Sequence, residues 1–298
     1  MSRIFLDDAG SAPVLPEVRE ALRNLPEGNP SSPHADGRAA RAALDRARDL
    51  AAQAIGADRT EITFTGSGTE AVNLALFGAA RRLPKRGAVV TWAAEHQSVL
   101  GAARRLQSEA HVVEVARVDG SGRADPDDIP SSATLVSIGL ANNEVGTIQP
   151  VAAIIARAHQ IGAIVHVDAC AGPRWIPIPD GADLVSLSGH KLGAGRGGIL
   201  FVKDGVKLDP LLYGGPQEWG RRAGREDVAA ATAVAAALQA CSRDRASRSG
   251  VASRHGASLR ALLAGLGGMP TGAESRPRAD LRARPARSIH PTSYSRWV

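Results

Sequence analysis

Asp183–Gly198 reads DLVSLSGHKLGAGRGG. Its first part, Leu184-Val185-Ser186-Leu187, is the short apolar run of a buried strand. Its last part is a glycine-rich loop, and Lys191 stands at the junction. The chain holds only four lysines, Lys85, Lys191, Lys203 and Lys207, against a large excess of arginine. Arginine keeps its charge in a protein, whereas a desolvated lysine can lose its proton and attack a carbonyl. A lysine directly after a buried strand, flanked by Ser188, His190 and glycines, suits a Schiff base with an aldehyde cofactor. SGHK alone equally fits a surface lysine in a loop, so the rest of the chain has to decide.

Around this stretch, strand-like and helix-like runs alternate. Residues 4–16 suggest a short strand and a turn, and 17–25 a short helix. A long amphipathic helix fits Asp36 to Ile55, with Ala40, Ala43, Leu44, Ala47 and Ala51 on one face. Strands are expected at 61–65, 88–92, 112–115, 135–140, 163–168, 184–188 and 199–202. Helices are expected at 67–82, 97–109 and 151–160, and an Ala-rich one at 229–241. Such alternation predicts an α/β fold, with a mostly parallel sheet covered on both faces. After Cys241 the pattern decays, and 270–298 is rich in Pro, Arg and Ser, as in a linker or disordered tail.

Bulk properties narrow the class. A hydrophobic share of 44% and a charged share of 22% are ordinary for a soluble globular protein. Two cysteines, Cys170 and Cys241, give no disulfide framework. With no apolar run of membrane-spanning length and no signal-peptide pattern at MSRIFLDDAG, a cytoplasmic protein is the default. The net charge of +6 sits in the tail, where Arg243 to Val298 carries eleven Arg and three acids. The body is close to neutral, which argues against a nucleic-acid binder.

Open α/β sheets bind ligands at the carboxyl ends of their strands. After strand 61–65 comes Gly66-Ser67-Gly68-Thr69-Glu70, opening a helix: an anion site, or simply a capped helix start. After 88–92 comes Glu95-His96, a polar loop or a ring to stack on a ligand. After 135–140 come Asn142 and Asn143, turn formers or amide donors. After 163–168 comes Asp168, a costly carboxylate at a buried strand end unless it is paired. A protonated pyridine nitrogen would pair it, as would an Arg or a helix cap. Together with Ser188, His190 and Lys191, these groups describe a pyridoxal phosphate site with no metal.

The motifs FLDDAGSAPVLPEV, GNPSSPHADGR, TGSGTEAVNLAL, EHQSVL, ANNEVGTIQP, HVDA, SGHK and GGPQEWGRRAG run in order from about residue 4 to 240. In these the chain resembles a cysteine desulfurase of the aminotransferase class V family, the fold type I pyridoxal-phosphate enzymes. The resemblance implies a three-layer large domain over 16–245, after an N-terminal segment 1–15. Residues 246–298 would be the remnant of a small C-terminal domain that is largely missing, plus a disordered basic tail. It implies that Lys191 holds the cofactor and shuttles protons, and that Asp168 keeps the pyridine nitrogen protonated. His96 would stack on the ring. Gly68, Thr69, Ser188 and His190 would hold the phosphate, and Asn143 would lie near the phenolic oxygen and the substrate carboxylate.

Departures accompany the likeness. Ala171 stands where the family has Gln, and Arg225 where it has a phosphate-binding Thr lent by the partner subunit. Arg225 could still bind phosphate as a cation. The family's serine-rich loop with the sulfur-accepting Cys, and its Arg for the substrate carboxylate, belong to the missing small domain; TGAESRP at Thr271–Pro277 resembles only its start. Of the two cysteines, Cys170 follows a rigid strand end and is read as structural, and Cys241 as helix packing.

The expected reaction is conversion of L-cysteine, or a similar amino acid, to L-alanine plus enzyme-bound sulfur in a homodimer. A sulfur-acceptor protein and a place in iron-sulfur cluster biogenesis would follow; nucleic acid and membrane are not expected partners. Two alternatives stay open: a class V lyase or aminotransferase needing no acceptor Cys, and a non-catalytic partner subunit of an intact paralogue.

Overall fold

The computed structural model describes residue 5 and residues 7–267. Its centre is a seven-stranded sheet of β1 (Ile62–Thr65), β2 (Ala88–Trp92), β3 (Val113–Ala116), β4 (Ala133–Gly139), β5 (Ile164–Asp168), β6 (Leu184–Ser188) and β7 (Gly198–Val202). The strand order is β1-β7-β6-β5-β4-β2-β3. β7 runs antiparallel to both its neighbours, and every other pairing is parallel. The central strands β2, β5 and β6 are near-continuous apolar runs because both faces of the sheet are covered.

The helices are α1 (Pro16–Ala21), α2 (Ala35–Ile55), α3 (Gly68–Ala80), α4 (Gln97–Ser108), α5 (Val151–Gln160), α6 (Gly189–Leu192) and α7 (Val228–Gly265). On one face α3 and α4 pack against each other and bury Leu74, Leu76, Val99 and Leu106. On the other, α2 and α7 pack together and bury Leu44, Ala47, Val234 and Leu238 in the larger core. Both helices present alanine at the contact, and small side chains let their backbones approach closely. A buried leucine side chain in such a core contributes about 1.5–3 kcal/mol.

Three expectations need correction. The short strand expected over 4–16 does not form among its described residues. Asp7 captures that segment instead, accepting from Gly10 N–H on its carboxylate and from Ser11 N–H on its carbonyl. The segment then runs beside α6, with Ala12 N–H donating to His190 O and Leu15 N–H to Gly193 O, both at 2.9 Å. The helix expected over 17–25 ends at Ala21. The helix expected to end at Cys241 continues to Gly265. Burial stops near Cys241, so the apolar stripe that reveals a helix in sequence is lost, while Ala, Arg and Leu still favour helix. Position 245, the expected end of the large domain, therefore falls inside a continuous helix. The expectations for 268–298 lie outside the described residues.

Candidate active site

The carboxyl ends of β1, β2, β4, β5 and β6 open on one side of the sheet. A cavity of about 150 Å³ there is lined by Gly68, Thr69, His96, Asn143, Asp168, Ser188, His190 and Lys191, among others. Eight of the nine predicted site residues therefore meet. The ninth, Arg225, is exposed and lies outside the lining.

β1 delivers the chain into α3 through Gly66 and Ser67. Ser67 caps the helix, its Oγ accepting from Glu70 N–H at 3.1 Å. The N–H groups of Gly68 and Thr69 lie in the first turn, where no intrahelical acceptor exists. They sit at the positive end of the helix dipole, a ready anion site. Close packing demands glycine at 68: a Cβ there would lie 2.5 Å from Cys170 Sγ and 2.8 Å from Ser188 Cβ. Across the cradle, Ser188 Oγ pairs with His190 Nδ1 at 2.9 Å.

Asp168 ends β5 with 6% of its surface exposed. Its carboxylate accepts from Cys170 N–H at Oδ1, 3.0 Å, and from the Cys170 thiol, and makes no ion pair among the described residues. A buried carboxylate with only neutral partners has the environment of a group awaiting a cation. Behind it on β5, His166 bridges the sheet, Nδ1 to Ser137 Oγ at 2.9 Å and Nε2 to Ser186 Oγ at 2.7 Å. Burial drives its pKa down to about 4, so the ring is neutral.

Lys191 sits on α6, one turn beyond the end of β6, and its amine makes no hydrogen bond or ion pair among the described residues. His96 caps α4, Nδ1 accepting from Ser98 N–H at 3.1 Å, which leaves the ring face and Nε2 to the cavity. The two asparagines differ in their freedom. Asn142 is consumed by its own turn, donating to Ala94 O and accepting from the N–H groups of Glu144 and Val145. Among the described residues the Asn143 amide donates only to Glu144 Oε1 at 3.4 Å, so it is the amide available to a ligand.

One lining residue was quoted in the sequence but given no role. Glu95 Oε1 accepts from Gly139 N–H at 3.0 Å. Burial pushes its carboxyl up to about 8, against that hydrogen bond, and the Asp168 charge adds to the rise. Cys170 lines the cavity and is partly exposed, but its thiol is not activated. Its thiol packs against Gly68, and burial, then the Asp168 charge, hold its pKa well above the ordinary range. Cys241 is buried in α7, its Sγ 3.4 Å from Leu192 O.

The aminotransferase class-V profile matches residues 4–273. The chain belongs to the class-V aminotransferase family. Relatives include the cysteine desulfurase of Trichormus azollae, 41% identical over 239 residues, which cover 76% of this chain and 60% of that protein. The putative cysteine desulfurase IscS 1 of Bacillus subtilis is 38% identical over 259 residues, covering 82% and 68%. A solved NifS-like protein superposes with a TM-score of 0.81 at 30% identity, over 89% of this chain and 75% of that one. The structure of SspA in complex with cysteine gives 0.75 at 31%, over 80% and 72%. The chain thus spans about 60% of the length of the first of these curated relatives.

Class-V aminotransferases and cysteine desulfurases are pyridoxal-phosphate proteins. The cavity fits that cofactor on three counts. The α3 N-terminus with Ser188 and His190 could take the phosphate, Asp168 could meet a protonated ring nitrogen, and Lys191 carries an uncommitted amine. Among the described residues no helix is long and apolar enough to cross a membrane.

Proposed function

We propose that this chain binds pyridoxal phosphate on Lys191 and is built for chemistry of the cysteine desulfurase type on L-cysteine or a closely similar amino acid. The observation that carries the reading is the buried Asp168 carboxylate, held by the N–H and thiol of Cys170 and paired with no cation among the described residues, in the same cavity as the unengaged Lys191 amine.

Bound there, the cofactor supplies an electron sink for negative charge formed at the substrate Cα. Asp168 holds the proton on the ring nitrogen. Gly68, Thr69, Ser188 and His190 bind the phosphate dianion, and His96 covers the ring. Lys191 would hold the cofactor through its aldehyde carbon and, when free, would move the proton at the substrate Cα. Asn143 offers its amide to the phenolic oxygen and the substrate carboxylate. In this reading the large domain covers 16–245, two copies form a dimer in the cytoplasm, and Arg225 of each faces the partner's phosphate.

Completing a desulfurase cycle needs a thiolate that attacks the substrate sulfur and keeps it as the C–S bond breaks. The thiol of Cys170 lines the cavity but is held protonated by desolvation and the Asp168 charge, which favours a second reading. Either the acceptor thiol comes from another chain, or the reaction is a class V elimination or amino transfer that needs none. Incubating the loaded protein with L-cysteine and dithiothreitol, and measuring alanine and sulfide, tests this. Equal alanine and sulfide support the desulfurase; sulfide with pyruvate and no alanine supports the elimination.

A further inference from the structure

A second cavity, of about 250 Å³, opens from the first. The two share Asn143, Cys170, Ala171 and Lys191. Its remaining walls include Ile148, Trp175, Ile176, Asp8 and Arg174, and they are largely apolar. A water occupies about 30 Å³, so the space suits a molecule of several heavy atoms.

Arg174 is out of place among such walls. It follows β5 by six residues and is 7% exposed. Its Nη1 donates to Asp8 Oδ2 at 2.9 Å, and its guanidinium stacks over the Trp175 ring, 5.1 Å from the centroid. Its Nε is buried and finds no acceptor among the described residues. A guanidinium cannot shed its charge, so that donor stays unmet until an acceptor arrives. Asp8 takes one end of the fork and Trp175 fixes its plane. Nη2 makes no hydrogen bond among the described residues and, unlike Nε, is not buried, so it is the nitrogen left for an anionic partner such as a carboxylate. A second cation, Arg245, donates to Pro173 O at 3.0 Å and makes the neighbourhood more positive.

We infer that Arg174 is the carboxylate anchor of this chain, and that an α-amino acid enters the second cavity with its carboxylate on Arg174 and its amine toward Lys191. The inference rests on the proposed cofactor at Lys191. It gives the substrate a cation from the large domain itself. Ala171, with its short side chain, leaves the two cavities joined, so one small amino acid reaches both groups.

The test uses the full chain loaded with pyridoxal phosphate. Absorbance changes of the bound cofactor are titrated with L-alanine and with ethylamine, which has no carboxylate. Wild type should prefer L-alanine. Arg174→Gln should weaken L-alanine by about tenfold to a hundredfold, leave ethylamine and the cofactor's own affinity unchanged, and Arg174→Lys should fall between. Equal weakening of both ligands, or none, overturns the anchor. Should Arg174→Gln fail to fold, wild type still decides, because ethylamine binding as tightly as L-alanine overturns it too. A wild-type chain that never takes up the cofactor refutes the proposed function instead. Calorimetry of L-alanine on the cofactor-free chain then tests Arg174 alone, and equal affinity in wild type and Arg174→Lys overturns the anchor.

Discussion

Arg48 on α2 and Glu218 in the loop before α7 form a buried two-pronged ion pair, with Nη1 to Oε2 at 2.8 Å and Nη2 to Oε1 at 2.7 Å. The pair is tied into the sheet. Arg48 also donates to Ile62 O at 2.6 Å, and Glu218 accepts from Phe64 N–H at 2.8 Å. Strand β1 is thereby fastened to the helix that covers it.

Removing one partner of this pair leaves a buried charge uncompensated. Arg48→Met and Glu218→Gln should each destabilise by about 3–5 kcal/mol. Urea unfolding measures this against Arg23→Ala, whose exposed pair with Glu20 should cost about 0–1 kcal/mol. Similar midpoints for Arg48→Met and Arg23→Ala would contradict the role given to the buried pair.

Lys191 should be the one attachment point of pyridoxal phosphate. Borohydride reduction and peptide mapping should put the label on Lys191. Lys191→Ala should abolish it, and Asp168→Ala should lower cofactor retention. A label on Lys85, Lys203 or Lys207 would move the site.

Stability should fall as pH rises from about 6.5 to 8. Glu95 has an ordinary value of 4.5 raised to about 8 in the fold. Within that window the folded chain holds a proton the unfolded chain has released, so deprotonation favours unfolding. His166, lowered from 6.5 to about 4, acts in the opposite sense but only below about 6.5. The lowered His111 and His190 add to that same lower range. The raised thiols of Cys170 and Cys241 act above the window. Glu95→Gln should flatten the slope between pH 6.5 and 8 in denaturant titrations. A slope that persists in the variant would place its origin elsewhere.

The chain on its own should release little sulfide from L-cysteine, even when loaded with cofactor. Reacting atoms must approach to about 3–3.5 Å, and the Cys170 thiol is packed against Gly68 at the foot of the phosphate cradle. Cys170→Ser should leave the residual rate unchanged, and Lys191→Ala should remove it. Robust turnover that vanishes in Cys170→Ser would make Cys170 the sulfur carrier.

Most of the sheet was readable from residues alone, because β2, β5 and β6 are near-continuous apolar runs and the helices α3 and α4 begin at marked caps, Ser67 and His96. The far half of α7 was not, since among the described residues Leu259, Leu262 and Leu263 stay exposed and impose no buried stripe. Within the site, Lys191, Asp168 and His96 announced themselves by position at strand ends. Glu95 did not. Its burial depends on Gly139, a β4 residue brought near only by the pairing of β2 with β4. Arg174 escaped notice for a similar reason, because its partner Asp8 lies 166 residues earlier in the chain. The choice between Asn142 and Asn143 needed the turn itself, where the first spends every polar atom of its side chain.

The antiparallel strand β7 wedges between β1 and β6, and its first residue presses against the phosphate cradle. A Cβ on Gly198 would lie 2.5 Å from the Ser67 carbonyl carbon, and Gly198 is the register partner of Thr65. Thr65 and Gly198 are separated by about half of the described chain, a non-local contact whose loop-closure cost nearer contacts must first offset. The cradle is therefore expected to be completed late on the folding route, after the parallel strands between β2 and β6 have assembled. A phosphate ligand would then meet a sheet that is already built. Its binding should slow unfolding while leaving the rate of folding where it was.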